Sequence, residues 1–283
     1  MTLERCNNMP ELPEVETIKK TLGKRITGLT ITGVTVNMPK IISEPEIKEF
    51  VDRITHSKIN KLGRRGKYLL LYLTGEQILI IHLRMTGQMI YSKSDEEIAK
   101  HTHVIFKLSD GNELRFIDMR QFGRLQLVDQ KNLDQVKGLK DLGPEPLEKE
   151  FTSGFLRREL KGKRTRVKPL LLDQTFIAGL GNIYADEALH RAHLHPKCIA
   201  GALSPRESSS LYRSIREVLQ EGIQHRGTTF KDYVDGEGNK GGFQKLLRVY
   251  NREGEQCTHC GGVIQRVKLN GRSAYYCPAC QKE

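Results

Sequence analysis

Four of the six cysteines fall into two Cys-x2-Cys pairs, Cys257/Cys260 and Cys277/Cys280, with sixteen residues between the pairs. This spacing constrains the end of the chain more tightly than any other feature. Each pair presents two thiolates from one knuckle, and two knuckles complete a tetrahedral, coordinatively closed zinc site. The surrounding segment 248–282 holds few large apolar residues, so bound metal must supply folding energy that a core would otherwise provide. Clustered cysteines without a secretory leader read as ligands rather than disulfides. Cys6 and Cys198 stand alone. The expected cofactor is therefore one structural Zn2+ on Cys257, Cys260, Cys277 and Cys280, with no position open for chemistry. Between the knuckles, RVKLNGRSAYY reads as a β-hairpin turning at Asn270-Gly271. Arg272 follows that turn and sits at the tip, either solvated or as a phosphate or groove contact.

Upstream, two periodicities divide the chain. Pro13 opens a helical pattern in which Val15, Ile18 and Leu22 recur three and four apart; proline in a first turn sacrifices no intrahelical bond. Segments 30–36, 67–73, 77–83, 103–108 and 113–118 are short and strand-like. Asp110-Gly111 marks a hairpin between the last two. Successive strands with short turns predict an antiparallel sandwich or barrel. Helical spacing returns at 149–160, 168–174, 182–192 and 204–223, the last with Leu211, Ile215, Val218 and Leu219 on one face. The Pro/Gly-rich stretch 141–147 is the expected boundary, and the glycine-rich 226–243 reads as a loop. These features predict an α+β protein with segments 10–140, 141–247 and 248–282. Residues 1–9 show no period or cap and read as an extension outside the fold.

The chain carries 46 Lys+Arg against 34 Asp+Glu, a formal charge of +12. Such an excess favours a polyanionic partner, with nucleic acid ahead of an anionic membrane surface or a merely soluble basic protein. The longest apolar runs, 69–73 and 78–83, fall far short of the ~20 residues that cross a bilayer. No membrane role and a cytoplasmic location are expected.

Several motifs leave two readings open. GLGNIYADE (179–187) places glycines before a helix start that Asn182 could cap, or whose free N–H groups could hold a phosphate. Lys67 begins an apolar strand and is either solvated or functional. Met85 in HLRMTG, and Arg120 and Phe122 in DMRQFG, end strands beside glycines. They are core and surface residues, or a wedge that enters a duplex and fills the space of an extruded base.

Taken in order, MPELPEVET (9–17), RRGKYLL, HLRMTG, HTHV, DMRQFG, LGPEPL, KPLLLDQ, GLGNIYADEAL, RGTTFKDY and the paired cysteines resemble the formamidopyrimidine-DNA glycosylase family across almost all of 9–282. Similarity to the sister endonuclease VIII family is weaker, because that family begins PEG and differs in its wedge residues. The resemblance implies an N-terminal β-sandwich with a leading helix, then a helix–two-turn–helix domain with a zinc finger. It implies a monomeric glycosylase and AP lyase that flips oxidised purines out of damaged double-stranded DNA. Pro10 corresponds to the amine nucleophile and Glu11 to the acid/base. Lys67 corresponds to the lysine that binds phosphate and aids β-elimination, and Arg272 to the finger arginine tied to δ-elimination. His101, Arg120, Lys163 and Asn182 correspond to DNA contacts, and Met85, Arg120 and Phe122 to the gap-filling residues. Glu14 corresponds to a further acid of the active-site helix, and Thr228 and Thr229 to the loop over the flipped base.

One departure bears on chemistry. The family mechanism uses a free proline amine, whereas nine residues precede Pro10 here. The expectation is that the working chain starts at Pro10, either because Met9 initiates it and is trimmed or because residues 1–9 are removed. Two other readings stand beside the lead: a glycosylase for oxidised pyrimidines, and a non-catalytic zinc-containing DNA-binding protein if Pro10 is never freed.

Overall fold

The computed structural model describes residues 9–283. Its first element, α1 (Leu12–Ile26), turns Val15, Ile18, Leu22 and Ile26 to one side, and all four enter a single apolar cluster. Two sheets supply the rest of that cluster. The chain runs β1 (Ile31–Val36), β2 (Ile42–Glu44), α2 (Ile47–Ile54), β3 (Ile59–Arg65), β4 (Tyr68–Leu73), β5 (Gln77–His82), β6 (Gly87–Ser92), β7 (Thr102–Leu108), β8 (Glu113–Asp118) and β9 (Arg124–Asp129). One sheet has the order β1-β7-β8-β6 and the other β2-β9-β5-β4-β3. All pairings are antiparallel except β2 with β9. Register sets the buried face: Leu69 opposes Ile81 and Leu71 opposes Leu79, and these four meet Phe106, Leu114 and Phe116 of the other sheet. The sandwich thus follows from period-two burial on facing strands.

The remaining elements are α3 (Ser153–Leu160), α4 (Val167–Leu171), α5 (Asn182–Arg191), α6 (Pro205–Gln224) and the hairpin β10 (Gln265–Leu269) with β11 (Arg272–Tyr276). The expected face of α6 is buried: Leu211, Ile215, Val218 and Leu219 are fully enclosed. Gly222 permits the close approach of α6 to α5, since a Cβ there would stand 2.5 Å from the Tyr184 ring. Asn270 and Gly271 both have positive φ, 47° and 77°, as a two-residue hairpin turn requires.

Some expectations shift. Strands β2, β3, β6 and β9 and helix α2 join the five expected strands; β3, with sequence INKLGRR, hides its strand character behind polar residues and a glycine. The helix expected at 149–160 begins at Ser153, because the Thr152 hydroxyl accepts from Phe155 N at 3.0 Å and starts it there. Lys67 occupies the turn after Gly66, not β4 itself. The compact units also differ from a linear division. His225–Gly242 belongs with the stretch ending at Lys140, and Asp141–Gln224 with Phe243–Glu283. The 141–247 segment is therefore interrupted by its loop, and the finger shares a unit with the helices.

Candidate functional site

Pro10 is buried immediately ahead of α1. Glu11 caps the helix in a reciprocal box: its carboxylate receives the Glu14 backbone N–H, and Glu14 Oε2 receives Glu11 N at 2.9 Å. Glu11 is only 3% exposed, at the positive end of the helix dipole. The other oxygen of Glu14 accepts from Thr228 N at 2.7 Å. One carboxylate thus ties the helix start to the 225–242 loop. Gly227, at φ 80°, makes this possible, because a Cβ there would lie 2.8 Å from Glu14 Oε1. Thr229 Oγ1 accepts from Gly241 N at 2.9 Å and donates to Tyr233 O at 2.9 Å. Glu14 therefore meets Thr228 through its backbone nitrogen, while the Thr229 hydroxyl braces the loop through backbone groups. Burial, then the neighbouring Glu14 charge, raises the Tyr233 phenol well above its ordinary pKa.

The β3–β4 turn brings Lys67 onto the same unit, 7% exposed. Arg64, three residues earlier, binds Glu16 of α1 at 3.0 Å. Burial pushes the Glu16 carboxyl up, but Lys19 and Arg64 outweigh it and hold it below its ordinary pKa. His82 stays neutral: burial, then the charges of Arg84 and Lys67, lower it to about 3. Its Nδ1 accepts from Arg84 N at 3.0 Å, which shapes the turn carrying Met85.

Asp118 organises the second turn. It is fully buried; Oδ2 accepts from Gly123 N at 2.7 Å, and Oδ1 accepts from the Thr86 hydroxyl and from Arg120 N at 3.2 Å. Around this anchor Phe122 is 48% exposed, with the Arg120 guanidinium 5.1 Å from its ring centroid. Met85 is half-buried. An aromatic ring left in water by a buried carboxylate scaffold suits a wedge better than a core residue. His101, at φ 70°, accepts Asp118 N through its carbonyl at 3.0 Å and so belongs to the same turn. Thr86 and Asp118 escaped sequence reasoning, although both lie inside the quoted motifs.

In the second unit Lys163 is exposed, beside Phe155, Glu159 and Asp173. Gly181, not Asn182, is the N-cap of α5; Asn182 is the first helical residue, and its Oδ1 is buried with no hydrogen-bond partner among the described residues. The cap expected of Asn182 is thus absent, because its own backbone already has helical form. Arg272 leads β11 and is exposed.

The four finger thiols lie within 4.8 Å of one another, with Cys257 Sγ 3.9 Å from Cys280 Sγ and Cys260 Sγ 3.4 Å from Cys277 Sγ. Tetrahedral thiolates on zinc at ~2.3 Å stand about 3.8 Å apart, so the donor set fits one Zn2+. A polar frame holds the finger. Lys168 Nζ lies 2.7 Å from Asp186 Oδ1 and 2.5 Å from Ser273 O, while Asp186 Oδ2 accepts from Tyr275 N at 3.0 Å. Burial raises Asp186 to about 6 against the pull of Lys168. Glu187 accepts from the backbone nitrogens of Arg248, Val249 and Tyr250 at 2.9, 3.0 and 2.9 Å. No hydropathy signal marks such residues in advance.

Comparison with known proteins bears on all three segments. Residues 9–125 match the family profile "Formamidopyrimidine-DNA glycosylase N-terminal domain", 142–234 match "Formamidopyrimidine-DNA glycosylase H2TH domain", and 254–282 match "Zinc finger found in FPG and IleRS". The chain is 58% identical over 274 residues to a formamidopyrimidine-DNA glycosylase of Pelotomaculum thermopropionicum, covering 97% of this chain and 99% of that one. A Lactococcus lactis Fpg structure in complex with Fapy-dG-containing DNA superposes with a TM-score of 0.90 at 35% identity, covering 96% of this chain and 100% of that one. Another, with abasic-site DNA, superposes at 0.91 and 36% identity with the same coverage.

Proposed function

The chain belongs to the formamidopyrimidine-DNA glycosylase family, and from that premise we propose that it excises oxidised purines, 8-oxoguanine and formamidopyrimidines, from duplex DNA and cuts the strand at the resulting site. It is a zinc-containing DNA glycosylase and AP lyase of base-excision repair. The observation that carries the finer reading is the start of α1: a buried proline next to a buried glutamate at the positive end of a helix.

In this reading the Pro10 nitrogen attacks C1′ as the bond to the damaged base breaks. Glu11 assists departure of the base and opening of the sugar ring. The nitrogen lone pair closes an iminium. The iminium acidifies the C2′ proton; its removal expels the 3′ phosphate, and a second elimination expels the 5′ phosphate. Lys67 binds phosphate and aids the first elimination, and Arg272 the second. An α-amine of pKa roughly 7.7–8.0 is partly neutral at physiological pH, unlike a lysine near ~10.4. A nitrogen acylated by Met9 has no such lone pair, so the active species carries Pro10 as its first residue. Extrusion of the base costs a few kcal/mol. Met85, Arg120 and Phe122 offset that cost by filling the stack, while His101, Lys163 and Asn182 hold the backbone. Glu14, Thr228 and Thr229 shape the loop over the flipped base. The enzyme acts as a monomer in the bacterial cytoplasm; among the described residues no helix is long and apolar enough to cross a membrane.

A lesion panel tests the reading. Duplexes bearing one 8-oxoguanine, one formamidopyrimidine or one oxidised pyrimidine are incised at equal enzyme concentration. The purine lesions should be cut fastest, leaving phosphate at both ends of the gap. Faster cutting of the pyrimidine would assign the chain to the other specificity.

A further inference from the structure

His190 is the penultimate residue of α5 and is 1% exposed, with Nε2 3.4 Å from Sγ of Cys257. The repair chemistry above assigns no task to a buried histidine. We propose that His190 donates its Nε2–H to the Cys257 thiolate and is a positioning residue that retains the zinc ion. The proposal rests on the zinc reading of the four cysteines and adds a residue to it.

Charge supplies the first argument. Four thiolates on one Zn2+ leave a net charge of −2, and Cys257 is 2% exposed, so water cannot screen its sulfur. A donor aimed at that sulfur offsets part of the cost. The tautomer supplies the second. Nδ1 of His190 is buried with no hydrogen-bond partner among the described residues. With the proton on Nδ1, that N–H would be wasted and the Nε2 lone pair would face the thiolate. With the proton on Nε2, the donor meets the negative sulfur and the bare nitrogen is the one left over.

Placement supplies the third. Asp186, Glu187 and His190 stand at helical positions i, i+1 and i+4, on one side of α5. Asp186 holds β11, Glu187 holds the 248–250 backbone, and His190 reaches the first knuckle. The second knuckle is held just beyond the helix, where Gln281 accepts from Cys277 N at 2.9 Å and donates to Leu194 O at 2.8 Å. His190 is thus the direct link from the helix to a metal-binding sulfur.

The test reads the metal, not DNA cleavage. Purified wild-type chain is first assayed for zinc; one ion per chain is expected, and a folded metal-free chain overturns the zinc reading and the proposal together. Transfer of zinc to excess chelator is then followed optically for wild type, His190→Phe and His190→Gln. The Phe variant should release zinc about tenfold faster or more, in line with lost outer-shell donors, and Gln, which keeps an N–H, should fall between. Release from His190→Phe at the wild-type rate, with one zinc bound, overturns the proposal while leaving the zinc site intact. Should the Phe variant fail to fold, nitrogen-15 NMR of histidine-labelled wild type decides. A solvent-protected Nε2–H supports the proposal, and a proton on Nδ1 overturns it.

Discussion

The two ends of this chain solve the same problem by different physics. Near the N-terminus, α1 and two sheets enclose Ile18, Leu22, Leu71, Ile81, Phe106 and Phe116 in one apolar cluster. Removal of that area from water dominates its stability, at roughly 25 cal/mol per Å2. Beyond residue 248 the large buried side chains are few: Val249, Tyr250, Ile264, Leu269 and Tyr275. There, a metal and buried polar anchors do what area cannot. Lys168–Asp186, Glu187 and Gln281 fix the position of the finger, each at a cost that only a complete set of partners repays. An apolar core loses stability in proportion to the contacts removed; a polar frame also leaves an uncompensated buried charge.

The largest effect should therefore fall on the finger alone. Cys257→Ala should abolish zinc binding, expose the β10–β11 amides to rapid hydrogen exchange and lower DNA affinity by about a hundredfold or more, given the ~10 kcal/mol that structural zinc supplies. Amides of β4, β5 and β8 should keep their protection. A metal-free variant with native affinity would erase the contrast.

Next comes the frame. Lys168→Met leaves Asp186 buried without its cation and drives its pKa further above about 6. Breaking such a pair should cost about 3–5 kcal/mol in denaturant unfolding of the second unit. Lys168→Met/Asp186→Leu should recover much of the loss, because the buried charge is gone. A double variant as unstable as the single would refute the uncompensated-charge account.

A smaller effect, on function only, should follow at the residues proposed as a wedge, exposed Phe122 and half-buried Met85. Phe122→Ala or Met85→Ala should slow base excision from paired DNA by roughly tenfold, about 1.4 kcal/mol of the few spent on extrusion. Cleavage of pre-formed abasic sites should survive better. Equal losses on both substrates would count against a wedge.

An effect confined to acid pH lies in the apolar half. Folded His82 binds its proton only near pH 3, whereas the unfolded side chain binds it near 6.5. Between those values the unfolded state holds the extra proton, so stability falls as pH falls, by about 1.4 kcal/mol per unit from this group. His82→Gln should flatten the acid limb of the stability profile by that slope. An unchanged limb would show that His82 protonates freely in the fold.

Legibility in the sequence follows the same division. β4 and β5 were readable because long apolar runs declare themselves, and the zinc ligands because Cys-x2-Cys spacing has few other uses. β3 was not, since its polar residues pair in a sheet for reasons that lie on β4. Asp118, Lys168, Asp186 and His190 were invisible as a class: burial of a polar residue depends on a partner up to 105 positions away, as for Lys168 and Ser273. The roles proposed for Pro10, Glu11 and Lys67 rest on the family resemblance alone, and the backbone contacts of Glu14 and Thr229 became apparent only from the fold.

We propose that the Pro10 amine performs the chemistry. Borohydride trapping on an abasic-site duplex, followed by intact mass and peptide mapping of the cross-linked protein, tests it most directly. A reduced adduct on the nitrogen of Pro10 is expected, in a chain that begins at that residue. An adduct on Lys67, or trapping by a chain that retains Met9, would contradict it.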